Sequence, residues 1–71
     1  MTFDMLIKEI RVDLGLTQQQ MARELNISFS TLNRWENGRG MPSRLAMLRL
    51  IDFCRQKGVP SEFVEQLGKQ Q

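Results

Sequence analysis

Apolar residues recur along this chain in five runs at helical spacing, and none alternates as a strand would. The first run, residues 3–14, places Leu6 or Ile7, Ile10 and Leu14 on one side and has Gly15 as its stop. Thr2 or Asp4 starts it. The second and third runs, about residues 18–25 and 29–36, are joined by a tight turn with unusually complete start and stop signals. Thr17 can cap the second helix, and Gln20 three residues on completes a capping box. Leu16 and Met21 stand where a hydrophobic staple would clamp the helix start. Asn26 follows Leu25, where a left-handed residue should end the helix, because asparagine tolerates positive φ. The pattern then restarts, with Ser28 as cap, Ile27 and Leu32 as a second staple, and Gly38 after Asn37 as the stop.

Gly38, Gly40 and Pro42 make the next stretch a loop. Ser43 caps a fourth helix running to about Lys57, in which Met47, Leu50, Ile51 and Cys54 share a stripe flanked by Leu48 and Phe53. Gly58 stops it. Pro60 or Ser61 opens a short fifth helix carrying Phe63, Val64 and Leu67, which ends at Gly68, and Lys69, Gln70 and Gln71 form a tail. The expected architecture is all-α: a compact five-helix bundle in one domain over residues 1–68. Local and global signals agree throughout.

Within residues 17–42 the inward positions are Met21, Ala22, Leu25, Ile27, Leu32 and Trp35, and Trp35 is expected in the core. Phe29, Ser30, Asn33 and Arg34 are left on the outer face of the third helix, a set able to touch base edges. Three stretches, LGLTQQQMA, STLNRWENG and the PS that follows a short loop, together resemble the phage repressor and Cro (XRE-type) helix-turn-helix family. The resemblance spans about residues 7–54. It implies that the third helix, about residues 28–36, lies in the major groove of double-stranded DNA while the second crosses the backbone. It also implies that Arg11 pairs with Glu36, that Gln18 braces the recognition helix, and that Arg39 rests against phosphate.

On that docking, the free amides of the second helix, with Thr17 and Gln18, can hold a phosphate. Arg34 can reach guanine O6 and N7 with two hydrogen bonds. Ser30, Thr31 and Asn33 can contact bases or phosphates, although Thr31 can equally serve only the helix start. The candidate base contacts are Phe29, Ser30, Asn33 and Arg34, and the candidate phosphate contacts are Thr17, Gln18, Thr31, Asn37, Arg39 and Arg44. Arg44 is oddly placed, since a cation opposes the dipole at a helix start; a nearby phosphate rationalises it, and so does a neutral surface accident. Phe29 departs from the family, where this position is usually polar. It either packs on a thymine methyl or is an exposed hydrophobe tucked against Gln18.

Charge supports the same face. The 71 residues carry a formal +2, but residues 23–57 hold seven Arg or Lys against Glu24, Glu36 and Asp52, a net +4, and the segments on either side are each −1. The chain has no histidine and a single cysteine, Cys54, so the usual zinc sites and an internal disulfide are excluded, and no cofactor is expected. Nothing here carries enzyme chemistry. No apolar run is long enough to span a membrane and no signal peptide is evident, so a cytoplasmic protein is expected.

The expected function is a sequence-specific DNA-binding transcriptional regulator, a repressor, acting as a homodimer on a palindromic operator. The dimer is expected through the fifth helix, whose apolar residues can alternatively close the monomer's core. The alternative function is a protein-interaction module, such as an antitoxin-like adaptor with secondary DNA binding. An outer face with Phe29 as its one apolar anchor speaks against that alternative.

Overall fold

Four of the five helices in this computed structural model end the same way, and that repeated stop lays out the chain. The structure describes residues 1–70; the last residue of the expected tail, Gln71, lies outside them. The helices are α1 (Phe3–Asp13), α2 (Gln18–Leu25), α3 (Phe29–Glu36), α4 (Arg44–Gln56) and α5 (Ser61–Gly68). A residue with positive φ follows each of the first four: Gly15 (70°), Asn26 (59°), Gly38 (71°) and Gly58 (76°). The next amide then reaches back to a carbonyl in the last turn: Leu16 to Arg11 (3.1 Å), Ile27 to Ala22 (3.0 Å), Arg39 to Arg34 (2.9 Å) and Val59 to Cys54 (3.0 Å). This Schellman geometry satisfies orphan carbonyls and turns the chain sharply. Asn26 is the one non-glycine with positive φ among the described residues.

The starts are equally local. Thr17 Oγ1 accepts from the Gln20 amide (3.1 Å) while Gln20 Oε1 accepts from the Thr17 amide (2.9 Å), closing the expected capping box. Ser28 and Ser43 hydroxyls accept from the Thr31 and Ala46 amides. Thr2 stands at the N-cap of α1 without a side-chain bond to the backbone.

Two details differ from the sequence expectation. α1 and α4 stop one residue early, at Asp13 and Gln56, because the capping turn begins there. α5 ends at Gly68 as expected, but without a left-handed stop, since Lys69 follows in a right-handed conformation. In α4, Phe53 is buried and Ile51 only partly so, which rotates the core stripe by part of a turn.

α1 packs on α3 and α5, α2 on α3 and α4, and α4 on α5. Their inward side chains, including Leu6, Ile7, Ile10, Met21, Leu32, Met47, Leu50 and Leu67, form one core. The Phe3 and Trp35 rings meet edge to face, with centroids 6.2 Å apart, so Trp35 belongs to that core. Cys54 is fully buried, which pushes its thiol up to about 11 because desolvation disfavours the thiolate. Val64 and Leu67 of α5 also belong to the core, while Phe63 is only partly buried.

Candidate nucleic-acid interface

The outer surface of the α2–α3 pair is held from beneath by a chain of side-chain bonds. Arg11, on α1, grips Glu36 at the end of α3 with two parallel bonds, Nε to Oε2 at 2.8 Å and Nη2 to Oε1 at 3.0 Å. Its third nitrogen donates to the Leu16 carbonyl at 2.9 Å. The Glu36 side chain is 3% exposed and that of Arg11 15%, so this is a nearly desolvated, bidentate ion pair. The Gln18 amide, at the start of α2, donates to Glu36 Oε1 (3.1 Å), and Gln18 Oε1 accepts from Asn33 Nδ2 (3.2 Å). Asn37 Nδ2 then donates to the Asn33 carbonyl (2.8 Å) and to Asn33 Oδ1 (3.2 Å). Helices α1, α2 and α3 are thereby linked by directional contacts that fix the rotation of α3 about its own axis.

Both contacts implied for this network by the resemblance, Arg11 with Glu36 and Gln18 with the recognition helix, are present. The sequence reading did not anticipate that Asn33 is the α3 group that donates to Gln18. Its amide is engaged on both atoms, so one hydrogen and one lone pair remain for a base or phosphate. The spacing of an amide in α2 from an amide in α3 depends on their crossing, and no local signal reports it.

Ser28, Ser30 and Thr31 gather at the start of α3, with Ser28 Oγ 2.8 Å from Thr31 Oγ1 and 3.1 Å from Ser30 Oγ. The helix-start role considered for Thr31 is therefore present, whatever else it contacts. Arg34 projects from the last turn of α3 and is exposed, as are Ser30 and Phe29. Across from Phe29, Leu16, Thr17, Gln18 and Gln19 line the other side of an open depression. Gln19 is a neighbour of the face that the sequence reading passed over. The backbone N–H groups of Gln18 and Gln19, first in α2, have no acceptor among the described residues.

Arg39 occupies a telling position. At the other three Schellman turns the corresponding residue is Leu16, Ile27 or Val59, each packed against the core. At the end of α3 it is an exposed arginine whose backbone is pinned to Arg34. A position that elsewhere secures a helix here presents a cation beside α3.

The electrostatics are more one-sided than the sequence charge suggests. Two of the three acidic residues in the basic stretch are neutralised, Glu36 by Arg11 and Glu24 by Lys57 at 2.6 Å. Arg23, Arg34, Arg39, Arg44, Arg49 and Arg55 are all exposed and make no ion pair among the described residues. No cluster of potential metal ligands occurs among the described residues, and no described helix is long and apolar enough to cross a membrane.

Two short helices crossing at a left-handed asparagine turn, buttressed by α1 and followed by two closing helices, define a helix-turn-helix domain. The helix-turn-helix family profile matches residues 7–57, and the chain belongs to this family, of the XRE type. It is 35% identical over 53 residues to the HTH-type transcriptional activator BcrR of Enterococcus faecalis, covering 75% of this chain and 26% of that protein. It is 37% identical over 51 residues to the Type II methyltransferase M1.ScrFI of Lactococcus lactis subsp. cremoris, covering 68% of this chain and 13% of that protein. The chain thus spans about a quarter of the length of the first relative and about an eighth of the second. No solved structure matches it.

Proposed function

We propose that the protein is a sequence-specific regulator of transcription that inserts α3 into the major groove of double-stranded DNA. The observation that carries this reading is the outer face of α3 and its surroundings. Ser30, Asn33 and Arg34 stand there as hydrogen-bonding groups, Arg39 and the free amides of α2 flank them, and a buried ion-pair network holds the face in one orientation. Arg34 reads a guanine through O6 and N7. Thr17, Gln18, Thr31, Asn37, Arg39 and Arg44 lie along the backbone path as phosphate contacts, which set register without reading sequence. The domain holds none of the groupings that carry catalysis, so its action is binding rather than chemistry.

The operator is a palindrome bound by a homodimer, with half-sites about 34–36 Å apart, one turn of DNA. Repression follows when such an operator overlaps a promoter, since occupancy alone blocks access. Support for a dimer through α5 is narrower than the sequence implies. Val64 and Leu67 are committed to the core, so Phe63 is the apolar residue left for a partner there. Leu45 and Leu48, one turn apart on α4, are 63% and 56% exposed and offer a rival contact. Sedimentation of Phe63→Ser and Leu48→Ser variants tells which face associates, if either does. Selection from random duplex DNA tests the function itself. Enrichment of one motif with two-fold symmetry is expected, and failure to enrich any duplex would replace this reading with the protein-interaction one.

A further inference from the structure

Phe29 is the one large apolar side chain left exposed on the α2–α3 pair among the described residues; the other exposed ones, such as Met5, Val12, Leu45 and Leu48, lie elsewhere. At 48% exposure it is not tucked away against Gln18, although both line the same depression. It is the first residue of α3, on the side of the helix that also carries Ser30 and Arg34. Its polar neighbours Ser28, Ser30 and Thr31 are bonded to one another, so the ring stands beside hydroxyls that already have partners. A phenyl ring neither donates nor accepts hydrogen bonds as base edges require.

The major-groove edge of DNA presents donors and acceptors except at pyrimidine C5, where cytosine has only a hydrogen and thymine a projecting methyl. Set over a guanine O6 or a cytosine amino group, the ring would strip water from a polar atom and return no bond. Set over the methyl, it removes apolar surface from water on both partners. Attraction to one group and a penalty at the others together make a discriminating contact.

We infer that Phe29 is a specificity-determining residue that reads the C5-methyl group of one pyrimidine in each half-site. The same methyl group occurs on thymine and on 5-methylcytosine, and the chemistry of the contact is shared. This inference rests on the DNA-binding reading, and its test separates the two.

On the selected duplex, each thymine is replaced in turn by deoxyuridine, which removes the methyl and leaves every hydrogen-bonding atom. Binding of the wild-type protein should fall about three- to fivefold at one position per half-site, the scale of one buried methyl. Phe29→Ala should bind the thymine and deoxyuridine duplexes alike at that position, and Phe29→Leu should keep part of the preference. Circular dichroism confirms that the variants fold, as expected for an exposed position. Replacing that pair by C·G and then by 5-methyl-C·G identifies the source: recovery on methylation, lost in Phe29→Ala, makes both pyrimidines ligands, and no recovery restricts the ligand to thymine. A wild-type protein indifferent to every deoxyuridine while still selecting its site overturns the inference and leaves DNA binding intact. So does a deoxyuridine penalty that persists undiminished in Phe29→Ala. Failure to select any duplex removes both.

Discussion

Around α2 and α3 the chain is held by polar side chains reaching from helix to helix, whereas α4 and α5 are held chiefly by apolar burial. Arg11, Glu36, Gln18 and Asn33 join three helices in the first region. In the second, the side-chain hydrogen bonds are local, Ser43 to the Ala46 amide and Gln70 to the Gln66 carbonyl, and Met47, Leu50, Phe53, Cys54, Val64 and Leu67 do the packing. The Lys57–Glu24 pair between α4 and α2 is more than a third exposed on both sides and adds little. Apolar contact is non-directional, so it holds helices together while leaving small rotations cheap. A bidentate, desolvated pair with amides attached permits one geometry. The helix proposed to meet base edges carries the second kind of fastening, where a small misplacement would weaken base recognition.

Breaking the polar region should have the largest effect. Glu36→Ala leaves the guanidinium of Arg11 nearly buried without its partner and should cost about 3–5 kcal/mol. A domain of this size has roughly 4–11 kcal/mol in all, so the variant should lose a large share of its stability and melt at a much lower temperature. Combining it with Arg11→Ala should recover part of the loss. Thermal melts of both single variants and the double variant measure the coupling, and strictly additive losses would show that the two residues act independently.

The apolar region should respond on a similar but graded scale. Leu50→Ala, at a fully buried position, should lower stability by about 2–5 kcal/mol, set by how far the cavity collapses. Smaller deletions, such as Val64→Ala, should lose proportionately less in denaturant melts. A Leu50→Ala loss below about 1 kcal/mol would mean that this half is loosely packed.

DNA binding should separate reader from anchor within the first region. Arg34→Ala should cost about 1–3 kcal/mol on the preferred site and relax one base-pair position per half-site. Arg39→Ala should weaken all duplexes alike and reduce the salt slope by about one for each phosphate it no longer neutralises. Titrations on selected and scrambled duplexes across a salt series distinguish them. If Arg34→Ala weakens both duplexes equally, that arginine does not read sequence.

The smallest effect is expected at the turn between α2 and α3. Asn26 already adopts positive φ, so Asn26→Gly relieves a small steric cost while loosening the unfolded chain. The melting temperature should move by no more than a few degrees, and a larger fall would give the Asn26 side chain a role beyond its backbone.

The helices, their caps and their left-handed stops were legible because each depends on residues within one turn of the chain. Thr17 with Gln20, Ser28, Ser43 and the residues at 15, 26, 38 and 58 act on backbone groups that no tertiary contact needs to supply. Only the stop at Asn26 lacked glycine, and its conformation followed from its place after Leu25. Gly68 marked the end of α5 without adopting a left-handed turn, since glycine permits that conformation without requiring it. The outward set on α3 was largely legible from helical periodicity: Phe29, Ser30 and Arg34 are exposed as expected, while Asn33 is half-buried against Gln18. The Arg11–Glu36 pair was implied by family likeness rather than by any local rule.

What the sequence by itself determined, then, is a series of five helices, their caps and stops, and the approximate inward face of the first three. Only the tertiary structure decided that Asn33 answers Gln18, that α5 gives Val64 and Leu67 to the core, that Glu36 is buried against Arg11 and that Glu24 pairs with Lys57 at the surface. Caps and stops act over the few ångströms between neighbours in the chain. Amide pairing, burial and charge neutralisation depend on distances between residues 15 to 33 positions apart, which exist only once the helices cross.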